Sequence, residues 1–274
     1  MKKKLIALML IAVCVLSLAA CGSKEENKDS KGENKDSKKE ATDLDYIKEK
    51  GKLVVGITDF APMDYKDSDG KWIGFDADLA KAFAKEIGVD VEFMEIEWDN
   101  KILELDGKTV DCIWNGMTLT AEVTSAMNCS KAYLNNAQVV VMKKSEADKY
   151  PDVNSLKALS FAVEAGSSGA KVAADNGFKT TEVDSQAAAL MEVAAGTSDA
   201  AIIDSLMAAA MIGEGTSYDN LTYTLSLNSE EYGVGFRKGS NVTEKFNEFF
   251  DKVKGDGTLA TLAEKYKVQA ALIK

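Results

Sequence analysis

The stretch Asp111–Val123, DCIWNGMTLTAEV, decides how the chain is read. Cys112, Ile113 and Trp114 form an apolar run of strand length. Asn115 and Gly116 both tolerate turn conformations, so the strand is expected to break there. Met117-Thr118-Leu119-Thr120 then reads as a loop that opens a helix. A hydroxyl at Thr118 or Thr120 can accept from a backbone N–H that the helix leaves unpaired. Exposed N–H groups at such a junction, with the positive helix end behind them, suit an anionic group of a small ligand. Ligands of open α/β sheets sit at the carboxyl ends of strands, where this loop falls. A buried strand followed by an ordinary capped helix accounts for the same residues equally well.

The flanks repeat the pattern. Lys52–Ile57 is a buried strand followed by a loop, Thr58–Asp67, and Asp69-Gly70 makes a turn. Asp76 is expected to cap a helix with Leu79, Phe83 and Ile87 inward, ended by Gly88. Val89, Val91 and Phe93 alternate as a strand, and Trp98-Asp99 opens a short helix with Ile102 and Leu105 inward. This is β-α-β-α-β, the order of a mainly parallel sheet covered by helices. Beyond a polar break at Asn135–Gln138 a second unit follows. Its strands are Val139–Met142, Ser160–Val163 and Ala200–Ile203; Gly166-Ser167-Ser168-Gly169, Ser185 and Leu206 begin its helices. Tyr232–Phe236 is a further strand, and two amphipathic helices close the chain. The fold class is therefore α/β with two lobes, each a mainly parallel sheet flanked by helices. Lobe 1 is expected at 44–136 plus 232–274 and lobe 2 at 137–231.

The 274 residues carry a net charge of −11, which deepens to −14 without the leader lysines Lys2, Lys3 and Lys4. So acidic a chain argues against nucleic-acid binding. It contains no histidine, which excludes Ser-His-Asp triads, Cys-His dyads and His-ligated zinc or iron. No catalytic residue, cofactor or metal is expected. Cys112 and Cys129 match no metal spacing; a disulfide and two buried thiols both remain open.

Residues 1–20 combine a basic start, a short apolar run and the small residues Leu18-Ala19-Ala20 before Cys21. This is a secretory signal rather than a membrane span. The ending resembles the bacterial lipobox, which implies cleavage before Cys21 and its lipidation. Residues 21–43 read as a disordered tether: Glu26–Lys39 repeats ENKDSKG and ENKDSKK without one apolar residue.

The motifs Gly74-Phe75-Asp76-Ala77-Asp78-Leu79-Ala80, Trp98-Asp99, Asn115–Thr120, Gly166-Ser167-Ser168, Asp204 and Gly255-Asp256-Gly257-Thr258 occur in that order. Together they resemble the polar amino-acid solute-binding proteins of ABC importers, over about residues 44–270. The resemblance implies a two-lobed periplasmic-binding-protein fold that closes on its ligand and delivers it to a permease and its ATPase. It implies a monomer held on the outer face of the cell membrane through Cys21. Phe60 and Trp98 would flank the ligand as aromatic walls. Asn115, Gly116 and Thr118 would contact it through side chain and backbone. Gly166, Ser167 and Ser168 would offer N–H groups to a carboxylate, and Asp204 would take the ammonium by a charge-assisted bond. Asp64 is read as a solvated loop acid and Trp114 as core.

One departure bears on the ligand. The family usually has an arginine three residues after the second threonine, to clamp the α-carboxylate; Val123 stands there. The chain's single arginine is Arg237, and a lysine such as Lys131 would serve only as a point charge. The expected function is capture of a small amine-bearing solute, foremost an amino acid or derivative. The alternatives are a receptor for a cationic amine without an α-carboxylate and a dehydratase-like enzyme on the same fold.

Overall fold

Two sheets organise the computed structural model, which describes residues 41–274. The signal sequence, Cys21 and the repeat at Glu26–Lys39 lie outside the described residues. In chain order the elements are α1 (Asp43–Lys50), β1 (Lys52–Ile57), β2 (Tyr65–Lys66), β3 (Trp72–Ile73), α2 (Phe75–Ile87), β4 (Asp90–Glu95), α3 (Lys101–Asp106), β5 (Cys112–Thr118) and α4 (Ala121–Ala126). Then come β6 (Asn128–Cys129), β7 (Leu134–Asn136), β8 (Gln138–Lys143), β9 (Ser160–Glu164), α5 (Ser168–Asp175), β10 (Lys179–Val183) and α6 (Gln186–Ala195). The chain ends with β11 (Ala200–Asp204), α7 (Ser205–Met211), β12 (Leu221–Ser226), β13 (Glu230–Phe236), α8 (Val242–Gly255) and α9 (Thr258–Lys265).

Ordered backbone starts ahead of Leu44. Thr42 and Asp45 form a reciprocal cap on α1, Asp45 N donating to Thr42 Oγ1 and Thr42 N to the Asp45 carboxylate. Thr42 and Asp43, read as tether, are thus part of a folded helix start. Arg237 pins this helix: it donates to Asp43, to Asp111 and to the carbonyls of Leu105 and Val110.

The first sheet has the order β4-β1-β5-β13-β6, with β7 also on β13. β1 runs parallel to both β4 and β5, and β13 runs antiparallel to β5. The second sheet has the order β10-β9-β11-β8-β12; β9 is parallel to β10 and β11, and β8 is antiparallel to β11 and β12. The chain leaves the first sheet at Ala137, between β7 and β8, and returns through Leu227–Ser229, between β12 and β13. The two crossings are neighbours, because Asn136 pairs with Glu230 across β7 and β13. Such a pair of adjacent strand connections is the place where a hinge can bend with little repacking.

The largest buried side chains fill the first sheet. Trp114 is core, as expected, edge-on to Phe246 at 4.9 Å, and Phe246 also meets Phe83 edge-on at 5.4 Å. Contacts of this kind add about 0.5–1.5 kcal/mol each beyond the area they bury. Both thiols are free: Cys112 is buried and Cys129 half-buried.

Three local expectations are corrected. β5 does not break at Asn115-Gly116 but continues to Thr118. Gly116 takes φ +54°, and the opposing strand shifts register between Gly233 and Gly235. The turn residues are thus absorbed as a kink inside a strand that pairs with β13 on both sides of the kink. Asp76 does not cap α2; Gly74 holds that position, and Asp76 is buried in the first turn. Asp64 is fully buried rather than solvated, accepting from Asn115 Nδ2 at 2.9 Å.

Candidate functional site

The carboxyl ends of β1, β5, β9 and β11 converge on one cleft. It lies where the parallel strands of both sheets stop, as the strand-end rule requires. Phe60, Trp98, Asn115, Gly116, Thr118, Gly166, Ser167, Ser168 and Asp204 all line it. So do residues that sequence reasoning passed over, among them Lys101, Glu122, Glu164, Lys171 and Gln186. Val123 is there too, so the family's arginine position presents a small apolar side chain. Lys131 is not: it pairs with Asp251 on the surface at 2.8 Å.

The first sheet offers the cleft a shape. Phe60 and Trp98 are nearly buried, and Phe60 packs edge-on to Tyr232 at 6.4 Å. Gly116 must be glycine, since a Cβ would lie 2.6 Å from the Phe60 ring and the backbone is left-handed. The polar groups of this wall are largely spent inside the protein. The Asn115 amide exchanges bonds with Thr58 and donates to Asp64, so its side chain is not open to a ligand. Gly116 N donates to Asp76 at 2.7 Å, Leu119 N to the Glu231 carbonyl and Thr120 N to the Thr118 carbonyl. Thr120 does cap α4, accepting from Val123 N, but α4 has only six residues. The anion-binding loop expected here is therefore closed off by its own bonds.

Beneath this wall lie two buried carboxyls. Burial, offset by bonds from Gly116 and Tyr133, holds the Asp76 pKa up at about 6. Burial and the neighbouring Asp76 push Asp64 well above the usual carboxylate range.

The second sheet offers polar groups. Ser167 caps α5, its hydroxyl accepting from Ala170 N, while Ser167 N donates to the Glu164 carbonyl. The amides of Ser168 and Gly169 have no partner of this kind among the described residues. Gly166 has φ +65°, and a Cβ there would lie 2.6 Å from the Asp99 backbone; the loops of the two sheets touch at this point. Lys101 crosses the same gap, donating to the carbonyls of Gly166 at 2.9 Å and Trp98 at 3.1 Å. Its ammonium lies 5.1 Å from the Trp98 ring centre, and burial lowers its pKa.

Asp204 ends β11 with 4% of its surface exposed. Its carboxylate accepts from Gln138 Nε2 at 2.9 Å and Tyr232 OH at 2.7 Å, and also from Asn136 and Gln186. No cation pairs with it among the described residues. Burial, and then the charge of Glu230, push its pKa well above the usual value. Glu230, at the start of β13 beside the crossings between the sheets, ties both walls together: Thr118 Oγ1 and Ser168 Oγ donate to it at 2.8 and 2.6 Å. Gln138, Asn136 and Asn228 donate to it as well. Burial works to raise its pKa, but the hydroxyls and amides around it prevail and hold it below normal. Glu164 is the remaining acid of the cleft; burial lifts it to about 8.

Comparisons with known proteins point to one family. The sequence profile of the bacterial extracellular solute-binding proteins, family 3, matches residues 53–269. The arginine-binding extracellular protein ArtP of Bacillus subtilis (strain 168) is 30% identical over 97% of this chain and 98% of its own length. The L-cystine-binding protein TcyA of the same organism is 30% identical over 97% of each chain. Among solved structures, an ABC uptake transporter substrate-binding protein from Streptococcus pneumoniae, with bound histidine, superposes with a TM-score of 0.78. It is 26% identical, over 86% of this chain and all of the other. This chain belongs to the bacterial extracellular solute-binding proteins, family 3.

Proposed function

We propose that the protein is the extracellular substrate-binding component of an ABC importer and captures an amino acid in the cleft between its two sheets. One observation carries the reading: Asp204, a buried carboxylate at a strand end, faces the cleft with no cation of its own. Burying a charge without a counter-charge is costly, and a ligand ammonium removes that cost. The open amides at the start of α5, with Ser167 and Ser168, suit the ligand's carboxylate in place of the missing arginine. Phe60 and Trp98 enclose the part between.

The relatives bind amino acids, and α5 supplies a carboxylate site; neither favours an amine without a carboxylate. The relatives are binding proteins, and no observation here favours an enzyme. Lobe boundaries at the crossings near Ala137 and Leu227–Ser229 belong to the same reading, as do a membrane anchor at Cys21 and delivery to a permease. Replacing Cys21 with alanine should release the protein from the cell membrane.

The test of ligand class is a thermal-shift panel of amino acids and simple amines. An amino acid at 100 times its dissociation constant should stabilise the protein by about 2.7 kcal/mol. Stabilisation by amines alone would contradict the reading.

A further inference from the structure

A second acid in the cleft has no task in holding an α-ammonium. Glu164 is the last residue of β9, an interior strand of the second sheet, with 3% of its surface exposed. It lines the same cleft as Asp204. Its Oε1 is buried and meets no hydrogen-bond partner. A carboxyl oxygen so placed is as costly to the protein as any polar atom it contains, and ligand sites are where such costs are tolerated.

The charged groups around it do not quench it. Lys101 on α3 is the nearest basic influence, but its ammonium is spent on the carbonyls of Trp98 and Gly166. Lys171 on α5 pairs with Asp175 at 2.8 Å. Glu122 on α4 and Asp204 on β11 also line the cleft and add negative charge. Thr58 and Gln186 approach Glu164 with neutral groups only. Arg237 is held elsewhere by Asp43 and Asp111.

We infer that Glu164 sets the specificity of this site: its carboxylate receives the cationic end of a basic amino-acid side chain, a guanidinium, imidazolium or ammonium. This rests on the amino-acid reading above, with Asp204 taking the α-ammonium at the other end of the ligand. With a pKa of about 8, Glu164 is mostly protonated at pH 7 in the empty cleft. Pairing with a guanidinium or ammonium ionises it, and its proton goes to solvent; a ligand imidazole, mostly neutral at pH 7, takes that proton itself. Binding of arginine or lysine therefore releases protons, and its affinity rises with pH up to about 8. A neutral ligand accepting a bond from the protonated acid would release none from Glu164.

The experiment is isothermal titration of the full chain with L-arginine, L-histidine and L-lysine, and with L-citrulline as the uncharged shape of arginine. Repeating each titration in buffers of different ionisation enthalpy counts the protons released. The expected result is that at least one basic amino acid binds and that arginine, if bound, exceeds citrulline by about 10–100-fold. At pH 7 arginine or lysine should release close to one proton more per ligand than citrulline does, and histidine little more than citrulline. Glu164→Gln, nearly the same shape, should lose most of that preference and the proton release, with an unchanged unfolding profile. Equal binding of citrulline and arginine by the unaltered protein would overturn the inference without any variant. So would a Glu164→Gln protein that keeps preference and proton release. If neutral amino acids bind and Glu164→Gln leaves them unaffected, Glu164 is not the selector, yet the amino-acid reading stands. If no amino acid binds at all, both fall.

Discussion

The two walls of the cleft are built to opposite rules. On the first sheet, Asn115, Gly116, Leu119 and Thr120 have already spent their polar groups on Thr58, Asp64, Asp76 and neighbouring carbonyls. What remains to a ligand is aromatic surface. On the second sheet, among the described residues, Asp204 lacks a cation, Glu164 has an oxygen without a partner, and the backbone amide of Ser168, which lines the cleft, has no backbone partner. A wall whose donors and acceptors are satisfied keeps its shape when the cleft is empty. A wall with open groups gains most from being filled. On the proposed reading, shape comes from the first wall and recognition from the second, and closure would bring both to the ligand.

This contrast breaks most readily at Asp204. Asp204→Asn keeps the size and much of the hydrogen bonding but removes the charge, and should weaken binding of any amino acid by about 3 kcal/mol, roughly 100-fold. Titration calorimetry measures this, with a thermal melt to show that the fold is kept. Gly166→Ala should come next. The added methyl falls 2.6 Å from the Asp99 backbone and strains a φ of +65°. Because it penalises the contact between the loops, it should cost about 1–2 kcal/mol of ligand affinity. Small-angle scattering with ligand would show a less closed molecule.

On the satisfied wall the effects should be smaller. Trp98→Ala removes a flanking face and should cost about 1 kcal/mol of affinity. Asn115→Asp should leave ligand affinity nearly unchanged while lowering the melting temperature, since the amide serves Thr58 and Asp64 rather than the ligand. The smallest effect is a pH dependence. The Asp76 pKa is raised from 3.8 to about 6 in the folded state. Between these values the folded protein holds more protons than the unfolded chain, so this group's contribution to stability falls as pH rises from about 4 to 6. The melting curve of Asp76→Asn against pH should lack that decline, a difference of a few degrees.

Much of this was legible in the sequence, for local reasons. β5, β9 and β11 announce themselves as apolar runs. Ser167, Ser185 and Thr120 are helix caps by residue type, and Gly88 ends its helix as expected. The residues proposed for the ligand do come to one cleft, because strand ends and helix starts are local signals that the sheet order then gathers. The rest depends on distant partners. Asn115-Gly116 reads as a break, yet β13 pairs with the strand on both sides of it. Asp64 and Asp76 read as loop and cap acids, yet the packing of Asn115, Gly116 and Tyr133 buries them. Glu164 left one trace, an acid closing the apolar run Phe161-Ala162-Val163 just before Gly166-Ser167-Ser168. Glu230 and Lys101 left none, since each acts across the cleft on residues far away in sequence.

The most direct test is a crystal structure of the protein with the amino acid that stabilises it most. The account predicts one ligand in the cleft, its α-ammonium about 3 Å from the Asp204 carboxylate and its carboxylate at the start of α5. A ligand bound outside the cleft, or one whose ammonium turns away from Asp204, would contradict it.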